Sequence, residues 1–96
     1  MRRAAKIDDN QTAVVETLRR VGAKVQSLGA VGKGCPDLLV MYGFRLWLLE
    51  VKDGAKPPSA RALTPDQVQW HSDWAGAPLS VVTSPTEALQ AIGIRR

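Results

Sequence analysis

Apolar residues recur at helical spacing through Val14, Val15, Leu18 and Val21, which predicts a first helix with Asp8 or Asp9 as its cap. Gly22 stands where a left-handed residue would close it. Ala23 to Leu28 alternates weakly and reads as a strand, and Gly29, Gly32 and Gly34 then form a flexible turn carrying Lys33. Asp37 to Tyr42 and Arg45 to Lys52 are β-rich runs around Gly43-Phe44, a pair suited to a two-residue type II′ hairpin. In the second run Leu46 and Leu48 alternate with Trp47 and Leu49, so both faces are apolar and the strand reads as buried on two sides. Asp53 to Ala62, with Gly54, Pro57, Pro58 and Ser59, reads as a basic, poorly structured loop. Thr64-Pro65-Asp66-Gln67 has the cap, first-turn proline and third-position glutamine of a helix start, and Gly76 marks its end just after Ala75. Leu79 to Thr83 reads as a short strand, and Ser84-Pro85-Thr86-Glu87 repeats the capping pattern before a last helix ending near Gly93. The predicted order is αβββαβα, with no internal repeat.

Composition narrows the class. A chain of 96 residues, 45% hydrophobic and 23% charged, is sized for one globular domain spanning residues 1–96. The net charge of +4 makes polyanions such as nucleic acid candidate partners without requiring them. One cysteine, Cys35, and one histidine, His71, exclude an internal disulfide and the usual four-ligand zinc site. The longest apolar run, Leu38 to Leu49, is interrupted by Gly43 and Arg45 and falls well short of the about twenty residues of a membrane-spanning helix. The basic start, Arg2, Arg3 and Lys6, is followed by Asp8, Asp9, Asn10 and Gln11 where a signal peptide needs an apolar stretch, so the expected location is cytoplasmic, in a bacterial or phage-infected cell. The glycine turn is not a Walker loop, because Ser27 stands in place of the first glycine and Gly34 in place of the Ser or Thr after the lysine.

The hairpin carries the candidate chemistry. With Tyr42 opposite Arg45, the register puts Asp37 opposite Glu50, their Cβ atoms about 5 Å apart. Glu50 and Lys52, two apart, point to the same face. Paired carboxylates repel each other, a cost that a divalent cation reverses. Asp37, Glu50 and the Val51 carbonyl are hard oxygen ligands of the kind Mg2+ or Mn2+ takes. Lys52 beside such a metal would orient a water or offset charge on a phosphoryl transition state. The plain alternative is that strand ends carry acids and lysines because they meet solvent; the hairpin register favours the metal site.

Gly34-Cys35-Pro36-Asp37 followed by Glu50-Val51-Lys52 resembles the PD-(D/E)xK nuclease signature. With Leu63-Thr64-Pro65-Asp66-Gln67, Trp70, Gly76 and the strand at Leu79 to Thr83, nearly the whole chain resembles the virus-type replication-repair nuclease (VRR-NUC) family, in its stand-alone phage or bacterial form. The resemblance implies a restriction-endonuclease-like αβββαβ core, a mixed central sheet flanked by helices. It implies a metal-dependent DNA endonuclease with Asp37 and Glu50 as ligands, Lys52 catalytic and Gln67 an active-site helper. Stand-alone members resemble homodimers acting on branched DNA such as four-way junctions. Nucleases of this type often set a further Glu or Gln on the first helix, where Gln11 fits best, with Asp8 one turn earlier and Glu16 on another face. The competing reading is a non-catalytic nucleic-acid-binding module that keeps a nuclease-like fold.

Other residues have plainer readings beside their functional ones. Gln67 at the third position after Thr64 also completes a capping box without any catalysis. Trp70 and Trp74, on one face with Gln67 and His71, read as core or interface more readily than as a base-stacking surface. Among the basic residues, Lys33, Lys56 and Arg61 lie in loops flanking the proposed site and are the candidate phosphate contacts; Arg2, Arg3, Arg95 and Arg96 read as solvated charges.

Overall fold

The computed structural model describes residues 9–95. Along them run α1 (Asp9–Arg20), β1 (Lys24–Ser27), β2 (Leu38–Tyr42), β3 (Arg45–Val51), α2 (Pro58–Arg61), α3 (Pro65–Asp73), β4 (Leu79–Val82) and α4 (Pro85–Ala91). The strands form one sheet in the order β1-β2-β3-β4. The first three are antiparallel neighbours and β4 runs parallel to β3, which makes the sheet mixed, as expected. A parallel pair needs a crossover, and α2 and α3 supply it.

Tyr42 faces Arg45 and Leu38 faces Leu49, the register expected of the hairpin. Its turn differs from expectation. Gly43 (φ 64°) and Phe44 (φ 63°) are both left-handed, which defines type I′ rather than II′. Types I′ and II′ both match the right-handed twist of the strands, and the turn takes I′ although that puts a bulky residue into a conformation that suits Gly or Asn.

The core occupies one face of the sheet. Leu38 and Val40 of β2, Leu49 and Val51 of β3 and Val82 of β4 pack with Val14 and Leu18 of α1 and Ala88 and Ile92 of α4. Residues of the opposite alternation, Leu39, Met41, Leu46, Leu48, Leu79 and Val81, include none that is buried, and Leu46 is 57% exposed. The expectation of a β3 buried on two sides therefore holds only for Leu49–Val51. The reason is that α1 and α4 form a layer on one side, while α2 and α3 contribute no buried residue to the other.

Caps set the helix boundaries. Thr64 accepts the Gln67 N–H and the Gln67 side chain accepts the Thr64 N–H, the reciprocal capping box read from the sequence. Ser84 caps α4 through the Glu87 N–H, but the Glu87 carboxylate takes the N–H and hydroxyl of Thr83 instead of completing a box. Asp9 lies in the first turn of α1, where a carboxylate complements the helix dipole, and Asp8 lies outside the described residues, as do Arg2, Arg3 and Arg96. Gly22, at φ 94°, follows α1 as expected. The segment read as a structureless loop contains one turn of helix, α2, because Pro58 at its first position is already set to a helical φ. Trp70 and Trp74 are not core: Trp74 is 54% exposed and Trp70 half-buried. The two rings stack on each other, centroids 4.7 Å apart and 5° from parallel. An α3 that buries no residue has no core position to give them.

Phe44 is fully exposed in the single chain, so replacing it loses no packing within that chain. Phe44→Asn, which tolerates φ > 0, is expected to stabilise the protein by about 0.5–1 kcal/mol in urea titration, the scale of a relieved left-handed residue. A loss of stability would show that the turn is unstrained.

Candidate active site

Both carboxylates are placed by the hairpin. Asp37 sits just before β2, and its backbone carbonyl accepts the Leu28 N–H at 2.8 Å, which ties it to the end of β1. Its Oδ2 accepts the Val51 N–H at 2.7 Å, so the side chain continues the β2–β3 ladder where backbone pairing ends. Glu50 alternates with the core residues Leu49 and Val51 and so projects from the opposite face. It is only 2% exposed nonetheless.

Crossover helix α3 covers it. Gln67 Nε2 donates to Glu50 Oε2 at 3.2 Å, and Gln67 Oε1 accepts Lys52 Nζ at 2.8 Å. The same Oε1 accepts the Thr64 N–H at 2.9 Å, using both lone pairs of the amide oxygen. Capping and a place in the site are thus not alternatives for Gln67: the cap holds the amide rigid between the acid and the lysine. Gly34 (φ 84°) lets the preceding loop lie against α3, since a Cβ there would overlap the Asp66 carbonyl. Only glycine permits both that conformation and that approach.

Glu50 Oε1 is buried and has no hydrogen-bond partner among the described residues. Burial foremost, then the neighbouring Asp37 carboxylate, push the Glu50 carboxyl up to about 8, with Lys52 pulling the other way. A buried acid with an orphaned oxygen beside a second acid is the environment a hard divalent cation satisfies. Among the described residues no three His, Cys, Asp or Glu side chains come together, so such an ion would draw on these two carboxylates, the Val51 carbonyl and water, a donor set that Mg2+ accepts.

Asp37, Glu50, Val51, Lys52 and Gln67 line one cleft of about 280 Å³. Gln11 and Lys56 also line it. Lys33 and Arg61 do not line it; Lys33 is exposed at a left-handed position beside Gly34, and Arg61 lies in the last turn of α2 next to the cleft residue Ala60. Two cleft neighbours escaped the sequence reading. Asp53 lines the cleft and accepts the Ala55 N–H at 2.9 Å, a local turn bond that resembles any Asp-x-x loop. Asn10 donates from Nδ2 to the Lys52 carbonyl at 2.7 Å, and an asparagine at a helix start reads simply as a cap. Cys35 is half-buried, and burial followed by the charges of Glu50 and Asp37 raises its pKa, so it keeps its proton rather than acting as a thiolate.

A four-stranded mixed sheet with an acid pair and a lysine at the carboxyl end of β3 defines a restriction-endonuclease-like nuclease fold. A solved structure described as a VRR_NUC domain is 30% identical to this chain, with a TM-score of 0.64 over 90% of this chain and 92% of that one. No protein-family model and no curated protein matches the chain. The chain belongs to the VRR-NUC family.

The Glu50 environment has a consequence for stability without metal. Unfolded Glu50 ionises in the ordinary carboxylate range near 4.3, while the folded group holds its proton to about 8, so the unfolded state releases its proton first as pH rises. Stability in chelator is therefore expected to fall between about pH 5 and pH 8, by at most ~1.4 kcal/mol per pH unit, the slope for one proton. Glu50→Gln should flatten that fall and be the more stable protein at pH 8. Urea titrations across the range check this, and a wild-type stability that is level or rising would contradict it.

Proposed function

We propose that the protein is a divalent-metal-dependent DNA endonuclease hydrolysing phosphodiester bonds. The observation that carries this is the orphaned, buried Glu50 oxygen beside Asp37, with Lys52 and Glu50 both tied to Gln67 at the same cleft. Asp37 and Glu50, with the Val51 carbonyl, would hold Mg2+ or Mn2+, which supplies a Lewis acid and an activated water when bound. The chain's own residues do the rest. Lys52 brings a cation to the point where charge develops on the scissile phosphate, and Gln67 keeps its Nζ from swinging into solvent. Gln11 and Lys56 border the path that the DNA backbone would follow. Lys33 and Arg61 extend a basic surface beyond the cleft, in keeping with the +4 net charge.

Asp37→Asn and Glu50→Gln are expected to abolish cleavage of a labelled four-way junction in Mg2+ or Mn2+ while leaving the fold intact. Lys52→Ala should slow it at least about a hundredfold with little change in DNA affinity, the cost of losing a positioned charge-stabilising group. Wild-type cleavage rates in the carboxylate variants would refute the metal site. Loss of binding in proportion to rate would reduce Lys52 to a phosphate contact.

The preferred substrate in this proposal is branched DNA, cut by a homodimer. Support comes from the side of the sheet opposite α1 and α4, where Met41, Leu46 and Val81 are exposed. Gln67 reaches Glu50 on that same side, which places α3 there, and its Val68 and Trp74 are exposed as well. With Phe44 at the hairpin tip, these side chains together expose on the order of 600 Å² of apolar surface, at the upper end of what a lone soluble protein leaves open. It approaches the ~800 Å² that each partner contributes to a standard interface. A twofold pair of chains would present two clefts with the symmetry of a four-way junction. Light scattering after gel filtration should report twice the chain mass, and Leu46→Glu should halve it without unfolding the protein. A monomeric wild type that cuts junction strands in pairs would refute this assembly.

A further inference from the structure

Asn10 is the chain's single asparagine. It sits in the first turn of α1, half-buried, with its amide between the ends of two parallel strands. Nδ2 donates to the Lys52 carbonyl at 2.7 Å and to the Thr83 carbonyl at 3.3 Å. Both acceptors are carbonyls, so the amide must present its NH2 group to them. β3 ends at Val51 and β4 at Val82, so each acceptor lies one residue past its strand. The Lys52 N–H donates to the Val82 carbonyl at 2.9 Å, the rung after which the chains part. Beyond it the Gly54 N–H reaches the Thr83 carbonyl at 3.3 Å, and a Cβ at Gly54 would come within 3.0 Å of that oxygen. Thr83 is fixed in turn through its N–H and hydroxyl by Glu87 of α4.

We infer that Asn10 is a positioning residue: its amide clamps the Lys52 and Thr83 carbonyls together and so sets the direction in which the Lys52 side chain leaves the strand. This rests on the nuclease reading for its catalytic consequence. The geometry is economical, because one side chain bridges points 42 and 73 residues away in sequence and joins α1 to both strand ends. The peptide plane of Lys52 fixes its Cα–Cβ direction, and a small rotation there is multiplied along the four-carbon stem to Nζ, which must meet Gln67 Oε1 at 2.8 Å. Displacements of about 1 Å in a reacting group cost on the order of a hundredfold in rate. Gln11, the next residue, lines the cleft, so the same clamp seats α1 against the site.

Asn10→Asp keeps the shape but turns an acceptor oxygen toward two carbonyls, and Asn10→Ala removes the bridge altogether. The test combines hydrogen exchange in metal-free, DNA-free protein with steady-state cleavage of a four-way junction. In the wild type, the single asparagine side-chain NH2 is expected to exchange at least about tenfold more slowly than the glutamine amides at the surface. In Asn10→Asp, the Lys52 and Gly54 backbone amides should exchange at least about tenfold faster, while the Leu49 amide in the core is unchanged. The kcat should fall about 10–100-fold with KM unchanged, whereas a merely structural role would move melting temperature and KM with it. Wild-type protection absent, or exchange at Lys52 unaltered in both variants, overturns the clamp, and the wild-type measurement stands even if a variant does not fold. Faster exchange with an unchanged kcat in an active enzyme overturns the positioning role. Faster exchange in the variants, when the protected wild type itself cuts no DNA, supports the clamp and refutes the nuclease reading instead.

Discussion

A carboxylate buried at the end of a strand is costly in any fold, and much of this structure is arranged around the one at Glu50. Its Oε2 is satisfied by Gln67 and its Oε1 by nothing among the described residues, with a second acid close enough to raise its pKa further. A fold selected for stability alone would place Gln or Leu there. What keeps the group in place is a set of bonds that do not neutralise it. Asp37 is tied to the backbone of Val51, Lys52 to Gln67, and Gln67 to its own helix cap. The result is an acid pair held in place by neighbouring donors while the repulsion between its members persists.

How much of this was legible in the sequence depended on whether the determining interaction was local. The hairpin register followed from a two-residue loop, because once Tyr42 faces Arg45 the pleat carries Asp37 to Glu50 without further information. The α3 cap was legible for the same reason. The turn type was not, since I′ and II′ both fit the strand twist and both accept Gly43 at the first central position. The one-sided core was hidden because alternating leucines look the same whether a helix or a second molecule covers them. Asn10 was hidden more deeply, as a bond to residues 42 and 73 positions away leaves no local trace.

The two readings of Gln67 show why residue-by-residue assignment reaches a limit here. From sequence, capping and catalysis competed for the residue; in the fold, the cap is what makes the site contact possible. A free glutamine carries several rotatable bonds, and ordering it costs about 1.5–2 kcal/mol. At the third position of a capping box much of that ordering belongs to helix formation already, so contacts to Glu50 and Lys52 are made by a side chain that has little freedom left to lose. Gly34 extends the same economy to the loop before Asp37, which seats directly on the α3 backbone.

The cleft lies at the carboxyl ends of the parallel pair for a topological reason. A chain leaving β3 must cross over before it can return as β4, and the crossover deposits the start of α3 beside the strand end it has just left. Antiparallel β2 starts at the same end, with Asp37 just before its first residue, so Asp37 and Glu50 meet there from opposite chain directions. α1 then closes the third side with its first turn, where Asn10 and Gln11 lie. Three chain segments that share no sequence proximity therefore converge where the sheet's own hydrogen bonding runs out, and side chains replace the missing rungs: Asp37 for one ladder and Asn10 for the other. Polar side chains are needed there for the backbone's sake, and that need places acceptors and donors at a solvent-open edge where a phosphate can reach them.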